Sequence, residues 1–182
     1  MTALPRMRRR GVDADRLRAC MRLFPTGVAM LTAGRGDGVI GMTVNSVISV
    51  SLEPPLMLVS VHQRARITAA LAEGTRFTLG ILNGQQTALS RRFAAATRPV
   101  GAAAVAAMCG RVGAGGVPAP ADCLAVLECV TEQLIPVGDH LLVIGLVVHG
   151  EVGAADRPPQ VFFRGALTAL TEVGQTRKDT ER

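Results

Sequence analysis

With 182 residues, 48% of them hydrophobic and 19% charged, the chain suits one domain with a sizeable core and is too apolar to be disordered throughout. Aromatic residues make up 3%, with no Trp and no Tyr, so Val, Leu, Ala, Ile and Met must build the core and little remains for stacking nucleobases. The net charge of +6 is uneven: seven Arg precede Phe24, and six lie between Val61 and Val100, where Glu73 is the only acid.

Residues 1–12 read as a flexible basic arm. From Asp13 the spacing Leu17, Cys20, Met21, Phe24 predicts a helix that Pro25 closes. Val28–Ala33 is an apolar strand, and the turn Gly34-Arg35-Gly36-Asp37-Gly38 leads into a second strand from Val39 to the Pro54-Pro55 stop. Gly41 interrupts that strand, and Thr43, Asn45, Ser46, Ser49 and Ser51 make it more polar than a core strand should be. Leu56–Val61 predicts a strand, Arg64–Ala72 a helix, Phe77–Leu82 a strand and Gln85–Ala96 a helix. The Gly- and Ala-rich stretch 97–121 reads as a loop with one helical piece. Leu124–Thr131 and His140–Val148 are long strands joined by a connection with Pro136 and Gly138. Val161–Phe163 is a last short strand before a polar tail over 171–182. Short, regularly spaced strands with few helices between them predict a mainly antiparallel β-barrel with peripheral helices, forming one domain over 13–170.

Generic catalytic signatures are missing. No GxGxxG follows a strand, and Gly34–Gly38 has no helix after it, which argues against a Rossmann fold. The sequence has no Walker motif, HExxH or GxSxG. Cys20, Cys109, Cys123 and Cys129 form no CxxC pair and have no His at ligand spacing, so no metal site is expected. Asp13, Asp15, Arg16 and Arg18 break any apolar signal segment after Arg6–Arg10. No run approaches the about 18 apolar residues of a membrane span. These features predict a cytoplasmic protein with reduced thiols, without membrane or nucleic-acid partners. The Arg-rich stretches suit a solvated face, or, where they mark a site, a phosphate or another small anion.

Three stretches depart from what a plain barrel requires. In Gly41-Met42-Thr43-Val44-Asn45-Ser46, a glycine among small polar residues lets main-chain groups approach a planar heterocycle; it also reads as a polar edge strand facing water. Alternation sends Thr43 and Asn45 to one face and Val44 and Ser46 to the other, unless Gly41 introduces a bulge. Gly138-Asp139-His140 opens a long apolar strand, where His140 either caps a turn or meets a ligand at the barrel rim. Phe162-Phe163-Arg164-Gly165 reads by itself as an edge strand with a solvated Arg.

Taken in order, Phe24-Pro25-Thr26-Gly27-Val28, Gly41-Met42-Thr43-Val44-Asn45-Ser46 and Ser49-Val50-Ser51-Leu52-Glu53-Pro54-Pro55-Leu56 resemble the flavin reductase-like, FMN-binding split-barrel family. Leu127-Glu128-Cys129, Gly138-Asp139-His140, Ile144-Gly145 and Phe163-Arg164-Gly165 are similar to that family's C-terminal half, and the likeness spans roughly residues 15 to 170. The resemblance implies a homodimer of split β-barrels with FMN, or FAD in its place, near the subunit interface. It implies that Gly41, Met42, Thr43, Asn45 and Ser46 line the isoalloxazine ring, with Ser60 and Val61 along its edge or under the ribityl chain. His140, taken as the catalytic residue, and Phe163-Arg164-Gly165 would receive NADH or NADPH.

The sequence departs from the family pattern at two places. Where the family shows a Ser-x-Thr element near the flavin phosphate, this chain has Ala65-Arg66-Ile67, with Thr68 one place late, which passes the phosphate to Arg64 or Arg66. A Lys-Phe-containing segment is replaced by the Ala- and Gly-rich run from Ala94 to Gly116, which suits a reductase that releases its flavin. The leading expectation is an NAD(P)H:flavin oxidoreductase supplying reduced flavin to a partner oxygenase or halogenase. A flavin-binding protein of the same fold without reductase turnover is the alternative.

Overall fold

The computed structural model describes residues 11–113 and 115–170, so most of the expected basic arm and the tail over 171–182 lie outside the described residues. Helix α1 (Ala14–Met21) begins where the Asp13 carboxylate accepts the Arg16 N–H at 2.7 Å, and it buries none of its residues. The strands that follow are β1 (Thr26–Gly27), β2 (Ala29–Ala33), β3 (Ile40–Val44), β4 (Val47–Leu52), β5 (Pro55–His62) and β6 (Arg76–Ile81). Helices α2 (Thr87–Ala94) and α3 (Gly101–Met108) and the short pair β7 (Arg111–Val112) and β8 (Pro118–Ala119) lead to the long hairpin β9 (Ala125–Val137) and β10 (His140–Val152). A small hairpin, β11 (Gln160–Phe163) and β12 (Ala166–Ala169), ends the described chain.

Seven strands form one antiparallel sheet in the order β3-β2-β6-β9-β10-β5-β4. Its outermost strands, β3 and β4, are consecutive in the chain and joined through Asn45-Ser46, so the sheet curls round on itself. The core shows this closure: Leu31, Val44 and Leu79 from one end of the order pack in one cluster with Val59, Val61 and Val143 from the other. Each such buried aliphatic side chain contributes about 1.5–3 kcal/mol. Gly145 of β10 faces this interior because the Phe77 ring occupies the space a side chain would need. The result is a split antiparallel barrel with helices on its outside, the architecture expected from the sequence.

A second apolar layer lies outside the barrel. Met30 and Leu82 of the sheet side pack against Phe93 of α2 and Ala104 and Met108 of α3. Buried polar bonds fix α2 there: the Ser90 carbonyl accepts the Thr43 hydroxyl at 2.7 Å, and the Ser90 hydroxyl donates to Gln160 Oε1. Helix α2 thus couples β3 to β11.

Four elements differ from the sequence expectation. The single strand over Val39–Pro54 is two strands, because Asn45-Ser46 turns the chain from one edge of the sheet to the other. The helix expected over Arg64–Ala72 is only a 3-10 turn over Arg66–Ala70, which is long enough to plug Ile67 and Leu71 into the barrel end. Strands β9 and β10 run longer than expected and meet at Gly138-Asp139; Pro136 sits inside β9, beyond the stretch that pairs with β6, where a strand tolerates proline. The segment after Phe163 returns as β12 through Arg164 (φ 52°) and Gly165 (φ 82°), the two positive φ values of a tight hairpin turn.

Candidate functional site

The Asn45-Ser46 corner brings together stretches distant in sequence. Asn45 and Ser46 are exposed. On one side, Asn45 Nδ2 donates to Thr26 Oγ1 at 3.2 Å, and Thr26 pairs with Phe162, next to the Phe163-Arg164-Gly165 turn. On the other side, the Ser46 carbonyl accepts the Ser60 N–H at 3.0 Å, and Ser60 pairs with Leu142, two residues into β10 from His140. The polar corner therefore lies between the two segments that the sequence associates with a nicotinamide nucleotide.

The rest of the 41–46 block supports this corner from beneath. The β2–β3 register is unbroken from Ala33↔Ile40 to Ala29↔Val44, so Gly41 introduces no bulge. A Cβ at Gly41 would stand 2.9 Å from two atoms of the fully buried Phe93 ring, which makes glycine the residue that lets α2 close over β3. Thr43 lies on the same face with its hydroxyl committed to Ser90, while Met42 packs against the barrel core. Val61 is 1% exposed and points into the barrel, so only its main chain reaches the rim. Ser60, on the opposite face by alternation, is half-buried.

Guanidinium groups follow β5 in the chain. Arg64 and Arg66 are exposed, and Arg66 Nη2 donates to the carbonyls of Ala96 and Arg98, both at 3.2 Å. Its Nη1 and Nε make no hydrogen bond among the described residues. Burial, and then the neighbouring Arg66 charge, hold the Arg98 guanidinium below its ordinary pKa. None of these three arginines forms an ion pair among the described residues. Thr68 turns its hydroxyl back into its own turn, donating to Ala65 O at 2.7 Å. Thr68 therefore offers no free hydroxyl in place of the expected Ser-x-Thr element.

At the β9–β10 turn, His140 Nδ1 lies 2.7 Å from Asp139 Oδ1. The hydrogen bond from His140 holds the Asp139 carboxyl below the usual carboxylate range. At the other hairpin, the Arg164 guanidinium stands 5.0 Å from the Phe163 ring centroid, and the Arg164 N–H donates to Arg22 O at 2.8 Å. The two buried cysteines are held as thiols: burial pushes Cys129 up to about 12 and Cys123 up to about 11, which keeps both protonated. No cluster of three or more metal-ligating side chains occurs among the described residues.

Sequence reasoning missed three residues at this site. Thr26 was visible within Phe24-Pro25-Thr26-Gly27, but its bond to Asn45 depends on tertiary structure. Arg98 sits in the Arg-rich region yet reaches Arg66 only through the fold. His62 ends β5 directly opposite His140, a pairing that only the strand register reveals.

The corner thus presents amide and hydroxyl groups to solvent, and the turn after β5 presents guanidiniums. The chain belongs to the flavin reductase like domain family, which it matches over residues 21–171. It is 39% identical over 167 residues to the NADH-dependent FMN reductase AsuE2 of Streptomyces nodosus subsp. asukaensis, covering 91% of this chain and 90% of that one. The reductase component of 4-hydroxyphenylacetate 3-monooxygenase from Thermus thermophilus is 35% identical, over 81% of this chain and 90% of its own. Among solved structures, BorF, the flavin reductase component of a bacterial two-component tryptophan halogenase, superposes with a TM-score of 0.81 at 32% identity, covering 88% of this chain and all of BorF. The NADH:FAD oxidoreductase SgcE6 of Streptomyces globisporus, in complex with NAD and FAD fragments, gives 0.78 at 31% identity over 91% of this chain and 95% of SgcE6.

Proposed function

We propose that this chain is an NADH-dependent flavin reductase whose domain over 13–170 binds FMN and supplies reduced flavin to a separate monooxygenase or halogenase. The observation that carries the reading is the Asn45-Ser46 corner, hydrogen-bonded through Thr26 to the strand beside Phe163-Arg164-Gly165 and through Ser60 to the strand beside His140.

Bound FMN supplies the hydride-accepting ring, so no protein acid or base is needed in the bond-forming step. The chain's own work is to hold the two nucleotides in register and to exclude water. Asn45, Ser46 and Ser60, with the main chain at Val61, address the polar edge of the ring, while Gly41, Met42 and Thr43 hold the corner rigid. Arg64 and Arg66 take the phosphate. Phe163, Arg164, Gly165 and His140 receive NADH. FAD fits the same reading if its second phosphate reaches Arg98.

We further propose a homodimer formed through the outer face of β4, β5 and β10, where Ile48, Leu58 and Ile144 make a continuous apolar row that stops at Ser46 and Ser60. The four cysteines are free, in keeping with a reducing, cytoplasmic setting. No described helix is long and apolar enough to cross a membrane.

A steady-state assay of NADH oxidation tests the reading, run with FMN, FAD and riboflavin and repeated with NADPH. Flavin-stimulated NADH oxidation, highest with FMN, is expected. Tight FMN binding without turnover would instead identify a flavin-binding protein of this fold.

A further inference from the structure

His62 ends β5 and His140 begins β10, and the two are direct cross-strand partners. Val61 points into the barrel, so alternation places His62 on the outer face, with Ser60 and His140. The two imidazoles meet edge to face, with centroids 5.5 Å apart and ring planes at 67°. Asp139 sits between them: Oδ1 is 2.7 Å from His140 Nδ1, and Oδ2 is 3.9 Å from His62 Nε2. The side chains of His62 and His140 are 47% and 45% exposed, so this is no core contact but a cluster open to a ligand.

The partners dictate where each proton sits. A carboxylate only accepts, so His140 Nδ1 carries the hydrogen and, in the neutral ring, Nε2 is the bare nitrogen. His62 Nδ1 accepts the Arg64 N–H at 3.0 Å, so neutral His62 carries its hydrogen on Nε2, facing Asp139. The intervening Gln63 grips the turn itself. Its Nε2 donates to the carbonyls of Gly138 and His140, both at 3.1 Å, and its N–H donates to Asp139 O at 3.0 Å. His62-Gln63-Arg64 therefore form a bracket around Gly138-Asp139-His140, in which main chain, carboxylate and imidazole are each held from β5.

We propose that His62 is a positioning residue for His140: through Asp139 it fixes the tautomer and tilt of the His140 ring, so that Nε2 is the atom offered to the nicotinamide nucleotide. The part played by the nucleotide rests on the function proposed above; the positioning does not. A carboxylate held by one imidazole alone can rotate about its own side chain and carry that ring with it. A second imidazole 3.9 Å from the other oxygen, packed edge to face on the His140 ring itself, restricts this freedom. The hydrogen bond from His140 lowers the Asp139 pKa, so the carboxylate's part in this cluster is lost as pH falls through that lowered value.

The test pairs a structural readout with a kinetic one. Nitrogen-15 imidazole spectra of the apoprotein are expected to show a single His140 tautomer, protonated on Nδ1. In His62→Ala this signal should become a tautomer mixture, and in the FMN-loaded protein the apparent KM for NADH should rise about three- to tenfold, the effect of one modest contact, with kcat and FMN affinity little changed. His62→Gln, whose Nε2–H can still reach Asp139, should recover most of both losses. An unchanged His140 tautomer in folded His62→Ala would overturn the proposal, as would failure of His62→Gln to recover anything that His62→Ala loses. A changed tautomer with unchanged NADH kinetics would leave the positioning role standing and overturn the nicotinamide role of His140 instead.

Discussion

Arg66 spends Nη2 on two main-chain carbonyls of the segment between α2 and α3 and makes no other side-chain hydrogen bond among the described residues, which suits a residue that anchors a loop and a phosphate at once. Arg66→Ala should weaken FMN binding by about 1.5–3 kcal/mol, the range of hydrogen bonds to a charged group, and leave riboflavin affinity unchanged. Titration calorimetry with both ligands checks this; equal losses would mean that the arginine acts through the 96–98 segment alone. His140 answers to a different ligand. His140→Ala should lower kcat/KM for NADH roughly tenfold to a hundredfold, through a lost hydrogen bond and a misplaced stacking partner, with FMN affinity nearly unchanged. Stopped-flow reduction of the bound flavin measures the step directly, and unchanged rates would return His140 to the role of a turn cap.

Among the elements, the β11–β12 hairpin is the one whose geometry depends most on two adjacent residues. Gly165 at φ 82° follows Arg164 at φ 52°, so Gly165→Ala should cost about 1–2 kcal/mol in left-handed backbone strain. Because the hairpin carries Phe163 and Arg164, the substitution should also raise the apparent KM for NADH while sparing FMN binding. Thermal denaturation and steady-state kinetics read the two effects separately. The same hairpin marks where the sequence stops being legible. Leu56–Val61 and Phe77–Leu82 declare themselves as strands because short, mostly apolar segments between turn residues suit a sheet with a buried face. Ala166–Ala169 is short and weakly apolar, and it is a strand only because the Arg164-Gly165 turn delivers it to β11. Arg64–Ala72 carries helix-forming residues, yet tertiary demand for two plugs, Ile67 and Leu71, limits it to one short turn. Of the candidate site, the sequence blocks named segments that the fold joins at one corner. The main-chain and cross-strand links that join them, Ser46–Ser60 and His62–His140, depend on register, which local pattern does not encode.

At the scale of the whole molecule, the outer face of β4, β5 and β10 presents an apolar row to solvent. Ile48 is 57% exposed, and Ile48, Leu58 and Ile144 line up across three strands. Contiguous apolar surface of this kind marks an interaction site, and burial at about 25 cal/mol per Å² would favour covering it. A second copy fits for a geometric reason: the row ends at Ser46 and Ser60, so a two-fold partner on this face would abut the polar corner and wall one side of the flavin site. Sedimentation should therefore give twice the chain mass. Ile48→Glu, which the isolated fold tolerates because the side chain is largely solvent-facing, should convert the protein to a folded monomer. The monomer should keep its circular dichroism spectrum and lose FMN affinity, because one wall of the site is gone. A wild-type monomer with full FMN affinity would remove the partner from the site. An Ile48→Glu dimer would move the interface to another face.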